Sequence, residues 1–251
     1  MSDSNVNLDK IENQMDLDEM MNEEIVELSF IQSIYAIIMN PKLAFEAIKH
    51  KPRILLPIIT VLAVMLLSSL VMWDAIKAYT MEAMRYQMQA QGQDVAMLPE
   101  SVMSMVAMST FAGILIMIPV AIAVKGLAIH GFMQLFNGKG TVKQSISIVA
   151  NAYIVATLSS IIKMPLVMMT GNYGVSFSPA LFLSKEQLLG PYGSVLAYFD
   201  VFIIWYLIVS IIGVTVIHKT SKGKSAVAVL VPYSIMVGIG ILGAVVSSMM
   251  T

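Results

Sequence analysis

The sequence predicts an all-α integral membrane protein, a bundle of five transmembrane helices with amphipathic juxtamembrane helices in front of it. Three observations lead there. Of 251 residues, 57% are hydrophobic and only 12% charged, where a soluble domain carries about 25% charged, and the mean hydropathy is +0.79. Several apolar runs reach the roughly 20 residues that a helix needs to cross a bilayer. Charge is also lopsided: residues 1–28 hold nine acids against Lys10, a net −8, while the remainder holds 14 basic and 7 acidic residues. The absence of cysteine excludes disulfides, thiolate metal sites and cysteine nucleophiles.

Residues 1–28 are too charged to build a core and read as a solvated, disordered cytoplasmic tail. Residues 29–251 form the membrane domain. In its first part Ile31, Ile34, Tyr35 and Ile38 recur at helical spacing, and Asn40-Pro41 ends that helix and caps the next. Leu43, Ala44, Phe45 and Ile48 give the second helix an apolar face ringed by Lys42, Lys49, Lys51 and Arg53, a pattern suited to the surface of an anionic bilayer.

The five spans are expected at about 54–73, 106–136, 145–169, 195–217 and 225–250. Asp74–Gln91 either continues the first span or lies on the outer surface, and the 170–194 loop is broken by glycine and proline. Lysine and arginine near the span ends number nine on one side (Lys42, Lys49, Lys51, Arg53, Lys139, Lys143, Lys219, Lys222, Lys224) and three on the other (Lys77, Arg85, Lys185). The positive-inside rule then places the N-terminus in the cytoplasm and the C-terminus outside. The acidic start does not read as a signal peptide, so the first span would direct insertion.

Charged residues within spans are expensive, about 2.5–3.5 kcal/mol each on insertion scales, and suggest function. Lys163 and Asp200 fall at similar depth and are expected to pair, clamping the third and fourth spans. Lys125 has no acidic partner at its depth. It is expected to snorkel toward the cytoplasmic headgroups or, with Asn151 nearby, to form a polar pocket for a lipid headgroup or a peptide carboxylate. Gly238, Gly240 and Gly243 match a dinucleotide-binding pattern, but they sit inside an apolar helix with no preceding strand, so that reading fails. Gly240, Ala244 and Ser248 instead make a small-residue stripe for close helix packing.

His50, His130 and His218 lie on separate helices without i, i+4 spacing, and no metal site is expected. The 22 methionines, many toward the outer side, read first as packing; copper or adaptable peptide binding are the alternatives. No catalytic triad, carboxylate pair or nucleic-acid surface is visible, so neither enzyme activity, a cofactor nor a nucleic-acid partner is expected.

Three segments together carry a resemblance. They are Asn40-Pro41 with Phe45, Ile48 and Pro52; the loop from Phe136 through Asn137, Gly138, Lys139, Gly140, Thr141, Val142 and Lys143 to Gln144; and Trp205 with Gly213, His218, Lys219, Ser221, Lys222, Gly223 and Lys224. In order and topology these resemble the Yip1 family of small multi-span membrane proteins over about residues 29–251. The sequence departs from it with Asn137, where bacterial relatives often have a further glycine, and in lacking the tyrosine-rich motifs of eukaryotic trafficking members. The resemblance implies a non-enzymatic protein acting through partners. Eukaryotic relatives recruit Rab-type GTPases and shape transport membranes, and some bacterial ones resemble accessory subunits beside ABC-type exporters that resist toxic peptides.

The expected function is a partner-binding accessory or regulatory subunit in a bacterial plasma membrane. Phe45, Ile48, Lys139, Lys143, Lys219, Lys222 and Lys224 would contact partner or lipid. A small transporter or channel using Lys125, Lys163 and Asp200 is one alternative; a membrane-shaping or lipid-binding protein is another. Oligomeric state stays open.

Overall fold

The structure is a computed structural model describing residues 27–90, 92 and 100–249. The expected acidic tail, apart from Glu27 and Leu28, falls outside the described residues, as do the side chains of Ala244 and Ser248. The elements are α1 (Phe30–Met39), α2 (Pro41–His50), α3 (Leu55–Val71), α4 (Trp73–Ala90), α5 (Glu100–Leu135), α6 (Val142–Thr170), the short α7 (Lys185–Leu189) and α8 (Pro191–Leu196), α9 (Val201–Ile217) and α10 (Lys222–Met249). Short 3-10 turns lie at Pro179–Phe182 and Ala197–Phe199, and there is no strand among the described residues.

Three stretches are long and apolar enough to cross a membrane alone, Met108–Leu135, Val142–Thr170 and Lys222–Gly243. Up to five spans result if each of two bent pairs counts as one. In the first pair α3 meets Trp73–Tyr86 at 78°; in the second Tyr192–Phe199 meets α9 at 43°. The chain after Trp73 therefore turns away from the α3 axis instead of prolonging it straight. It carries Asp74, Lys77, Glu82 and Arg85, and Lys77 pairs with Asp74 at 2.6 Å, groups that favour water over lipid tails. At 36 residues α5 is about 54 Å long, well beyond the roughly 30 Å of a bilayer core.

The centre of the bundle is α6, which packs against α3, α5 and α9 and touches α1 and α2. Of its membrane window 56% is buried, against 17% for α5 and 11% for α10. Its sequence explains the difference. Ser145, Ser147, Ala150, Asn151, Ala152 and Thr157 are all buried, and small residues let neighbouring backbones approach closely where lipid supplies no hydrophobic drive.

Local signals set the helix starts. Ser29 with Gln32 and Thr141 with Gln144 each form a reciprocal capping box, and Asn40 caps α2 with Pro41 at its first position. The start of α3 needs outside help. Pro57 has no N–H to give the carbonyl of Arg53, and that oxygen accepts instead from Ser147 Oγ at 2.8 Å and Asn151 Nδ2 at 3.0 Å. The Arg53 guanidinium meanwhile donates to Ser33 Oγ and the Leu28 carbonyl, at 3.0 and 2.6 Å. One arginine thus joins α1, α3 and α6.

Candidate functional site

The segments rich in lysine converge at one end of the bundle. The Lys139 N–H donates to the His218 carbonyl at 3.1 Å, and Gln144 Nε2 donates to the Lys49 carbonyl at 2.8 Å. The end of α2, the α5–α6 loop and the α9–α10 loop are thereby tied into one unit. Asn137 and Lys219 have φ of 57° and 49°, a left-handed conformation that asparagine tolerates better than most residues.

The pivot is His218, fully buried at 0% exposure. Gly138 and Gly140 lie so close to its ring that a Cβ on Gly140 would come within 2.7 Å of both Nδ1 and Cε1. Ser145 Oγ donates to the Thr141 carbonyl, so it accepts from His218 Nε2 at 2.9 Å. The network thus assigns a bare lone pair to His218 Nδ1, which is buried without a partner. His130 stands 6.4 Å away, ring to ring, and its Nδ1 is likewise buried and unpartnered. Burial first, and then His130, holds the His218 imidazole down at about 4. Sequence spacing gives no sign of this pair, because the two histidines lie 88 residues apart in the chain. Among the described residues no group of three or more His, Asp or Glu could hold a metal ion.

Around this pivot Lys139, Lys143, Lys219, Lys222 and Lys224 are all exposed, with the Lys224 ammonium 6.0 Å from the centre of the Phe136 ring. Phe45 and Ile48 do not join them. Their exposures are 0% and 2%, and the tip of the Phe45 ring sits where a Cβ on Gly213 would be, at 2.7 Å. The expected contact of these two residues with partner or lipid is thereby corrected: the apolar face of α2 closes the core against α9. The exposed apolar edge is instead Ile31, Tyr35 and Met39 on α1, at 78%, 67% and 65%.

Farther along the bundle the interior opens into a cavity of about 650 Å³, lined by residues of α3, α5, α6, α9 and α10 and by the 173–200 segment. Lys125, Lys163 and Asp200 all line it, so three of the four polar residues expected within the bilayer share one space. The expected Lys163–Asp200 clamp is not formed. The Lys163 ammonium lies 3.9 Å from the centre of the Tyr173 ring, and the Asp200 carboxylate caps α9 by accepting from the Phe202 N–H at 2.8 Å.

Lys125 turns inward rather than snorkelling, donating to Tyr153 Oη at 2.9 Å. Its ammonium also lies 4.9 and 5.2 Å from the ring centres of Tyr153 and Tyr206. Asn151 stays apart from this group, committed to the Arg53 carbonyl. Tyr153, Tyr173 and Tyr206 were absent from the residues singled out from the sequence. Tyr153 and Tyr206 meet Lys125 from two other helices, and Tyr173 meets Lys163 by a turn back after α6, so only the fold flags them. A Cβ on Gly240 would fall on the Tyr198 hydroxyl, so this glycine of the small-residue stripe packs within the chain.

No curated protein and no solved structure matches this chain. The Yip1 domain family model matches residues 35–245, a stretch that contains the three tied basic segments and the cavity. The resemblance read from the loop motifs is thereby confirmed, and the chain belongs to the Yip1 family of membrane proteins.

Proposed function

We propose that this chain is a non-enzymatic accessory or regulatory membrane protein that engages a protein partner through its basic end. A bacterial plasma membrane with that end cytoplasmic is the setting, and a subunit of an ABC-type exporter or peptide-resistance system is the partner class that the family resemblance favours. The observation that carries the reading is the coupling of the two basic loops through His218. A cationic surface whose backbone is already ordered loses little entropy on binding an acidic segment, and preorganisation of this kind raises affinity.

Co-purification from native membranes in mild detergent, with crosslinking, tests it. A stoichiometric partner is expected, lost when Lys139, Lys143 and Lys222 are changed together to glutamate. Recovery of the chain alone, or a partner unaffected by the triple change, would refute the reading.

The cavity supports a second reading, a small transporter using Lys125, Lys163 and Asp200. Against it, the interior between Lys125 and the basic end is filled: Ile129, Ile148 and Val214 are exposed by 3%, 0% and 0%. A transport path would have to break that packing. A membrane-shaping role would fall to Ile31, Tyr35 and Met39 rather than to the buried Phe45 and Ile48.

A further inference from the structure

The cavity around Lys125 has a built-in asymmetry independent of the basic end. Its floor holds a cation within a membrane window, Met108–Leu135. One ammonium hydrogen goes to Tyr153 Oη, and the rings of Tyr153 and Tyr206 lie against the same group. An ammonium has three hydrogens to donate, and the other two have no hydrogen-bond partner among the described residues. No carboxylate pairs with it either, since Asp200 lies at the other end and is engaged with α9. A lysine so placed in low dielectric is costly until an anion joins it.

The cavity lining is largely apolar. Val61, Met65, Ile118 and Met236 contribute to it, and of its α6 serine and threonine hydroxyls two are committed within the protein, leaving Ser159. Thr157 Oγ1 donates to the Ile154 carbonyl at 2.7 Å, and Ser160 Oγ to Met65 Sδ at 3.4 Å. A peptide backbone running through this stretch would leave N–H and carbonyl groups unsatisfied, whereas an alkyl chain would not. Tyr153 and Lys163 are ten residues apart on α6, so floor and rim are about 15 Å apart. The volume of about 650 Å³ falls within the roughly 300–1,000 Å³ of small-molecule sites, room for a single chain.

We propose that this cavity binds a single-chain anionic amphiphile, its carboxylate or phosphate on Lys125 and the Tyr153 hydroxyl and its alkyl chain along α6 toward Lys163. Lys163 is a rim cation at the far end of the alkyl chain from the headgroup and contributes less.

The test uses the full chain in nanodiscs of neutral phosphatidylcholine, titrated with dansyl-undecanoic acid and with its uncharged methyl ester. Saturable binding of the acid is expected, with the ester weaker by about tenfold or more, a difference of about 1.4 kcal/mol. Lys125→Met should remove the preference for the acid, Lys125→Arg should retain it in part, and Lys163→Met should leave it within about twofold. Competition by dodecanoate and by dodecyl phosphate distinguishes a carboxylate from a phosphate ligand; displacement by either supports the site. Equal affinity for acid and ester in the unaltered chain would overturn the proposal, and this comparison stands even if Lys125→Met fails to fold. Displacement by an apolar pentapeptide with a free C-terminal carboxylate, but by neither alkyl anion, would overturn it in favour of a peptide site.

Discussion

Near its start, α6 is closed to water: its own Ile148 and Val149 are at 0% exposure, as are Phe45 and His218 from neighbouring segments. A few turns later the same helix borders a cavity of about 650 Å³. The two ends differ in chemistry as much as in packing. At the basic end the polar groups bond to backbone carbonyls and hold helices and loops in place, as Asn151 and Ser147 do for Arg53. In the cavity the lysines rest on aromatic rings instead of forming ion pairs. One region commits its polar groups to structure; the other keeps two ammonium groups on a cavity wall. Substitutions should accordingly alter stability at the first end and binding at the second.

The sharpest way to break that contrast is Phe45→Ala. Emptying a fully buried ring site should cost about 3–5 kcal/mol, seen as a large drop in the thermal unfolding midpoint in detergent. A small drop would mean that α2 is peripheral and that the basic end is less tightly built than its burial implies. Next in size is Gly140→Ala. The added methyl meets the His218 ring at 2.7 Å, and overpacking of this kind costs about 1–3 kcal/mol. Rescue by His218→Ala in the double variant would locate the clash; additive losses would refute it.

Acid should act on the same end. His218 is held at about 4 from an ordinary 6.5, so between those values the unfolded chain takes up the proton and the folded one does not. This contribution is present in full above pH 6.5 and is lost as pH falls toward 4. The unfolding midpoint should drop over that window, and His218→Gln should flatten the dependence. The smallest effect is expected at the cavity rim. Lys163→Met gives up a cation–ring contact of about 0.5–1 kcal/mol and places an apolar side chain in an apolar span, so the unfolding midpoint should hardly move. A large loss of stability would make Lys163 a structural group and erase the distinction between the two ends.

The cavity site was legible only in fragments. Lys125, Lys163 and Asp200 stood out because charges in apolar runs are rare, and all three line the cavity. Their partners did not stand out. The same cost that makes a lysine conspicuous in a span drives it toward any acceptor or ring face, and which one it reaches depends on helix rotation. So Lys163 met Tyr173 rather than Asp200, and Lys125 met Tyr153 rather than Asn151. Phe45 and Ile48 show the converse. Their spacing correctly marked an apolar helix face, but periodicity does not say whether that face turns to lipid or to protein.

By itself the sequence determined the helical class, the membrane character, the basic loop segments and the family, because each rests on composition or on signals within a few residues: apolar run length, capping residues, proline, loop motifs. Tertiary structure alone decided the 78° turn after α3, the meeting of His130 with His218 and the placing of Lys125 against tyrosines of two other helices. Those depend on how helices far apart in the chain are rotated against one another. In a bilayer that rotation is set by close packing of small residues and by the few polar groups that must find partners, and neither is written in any single span.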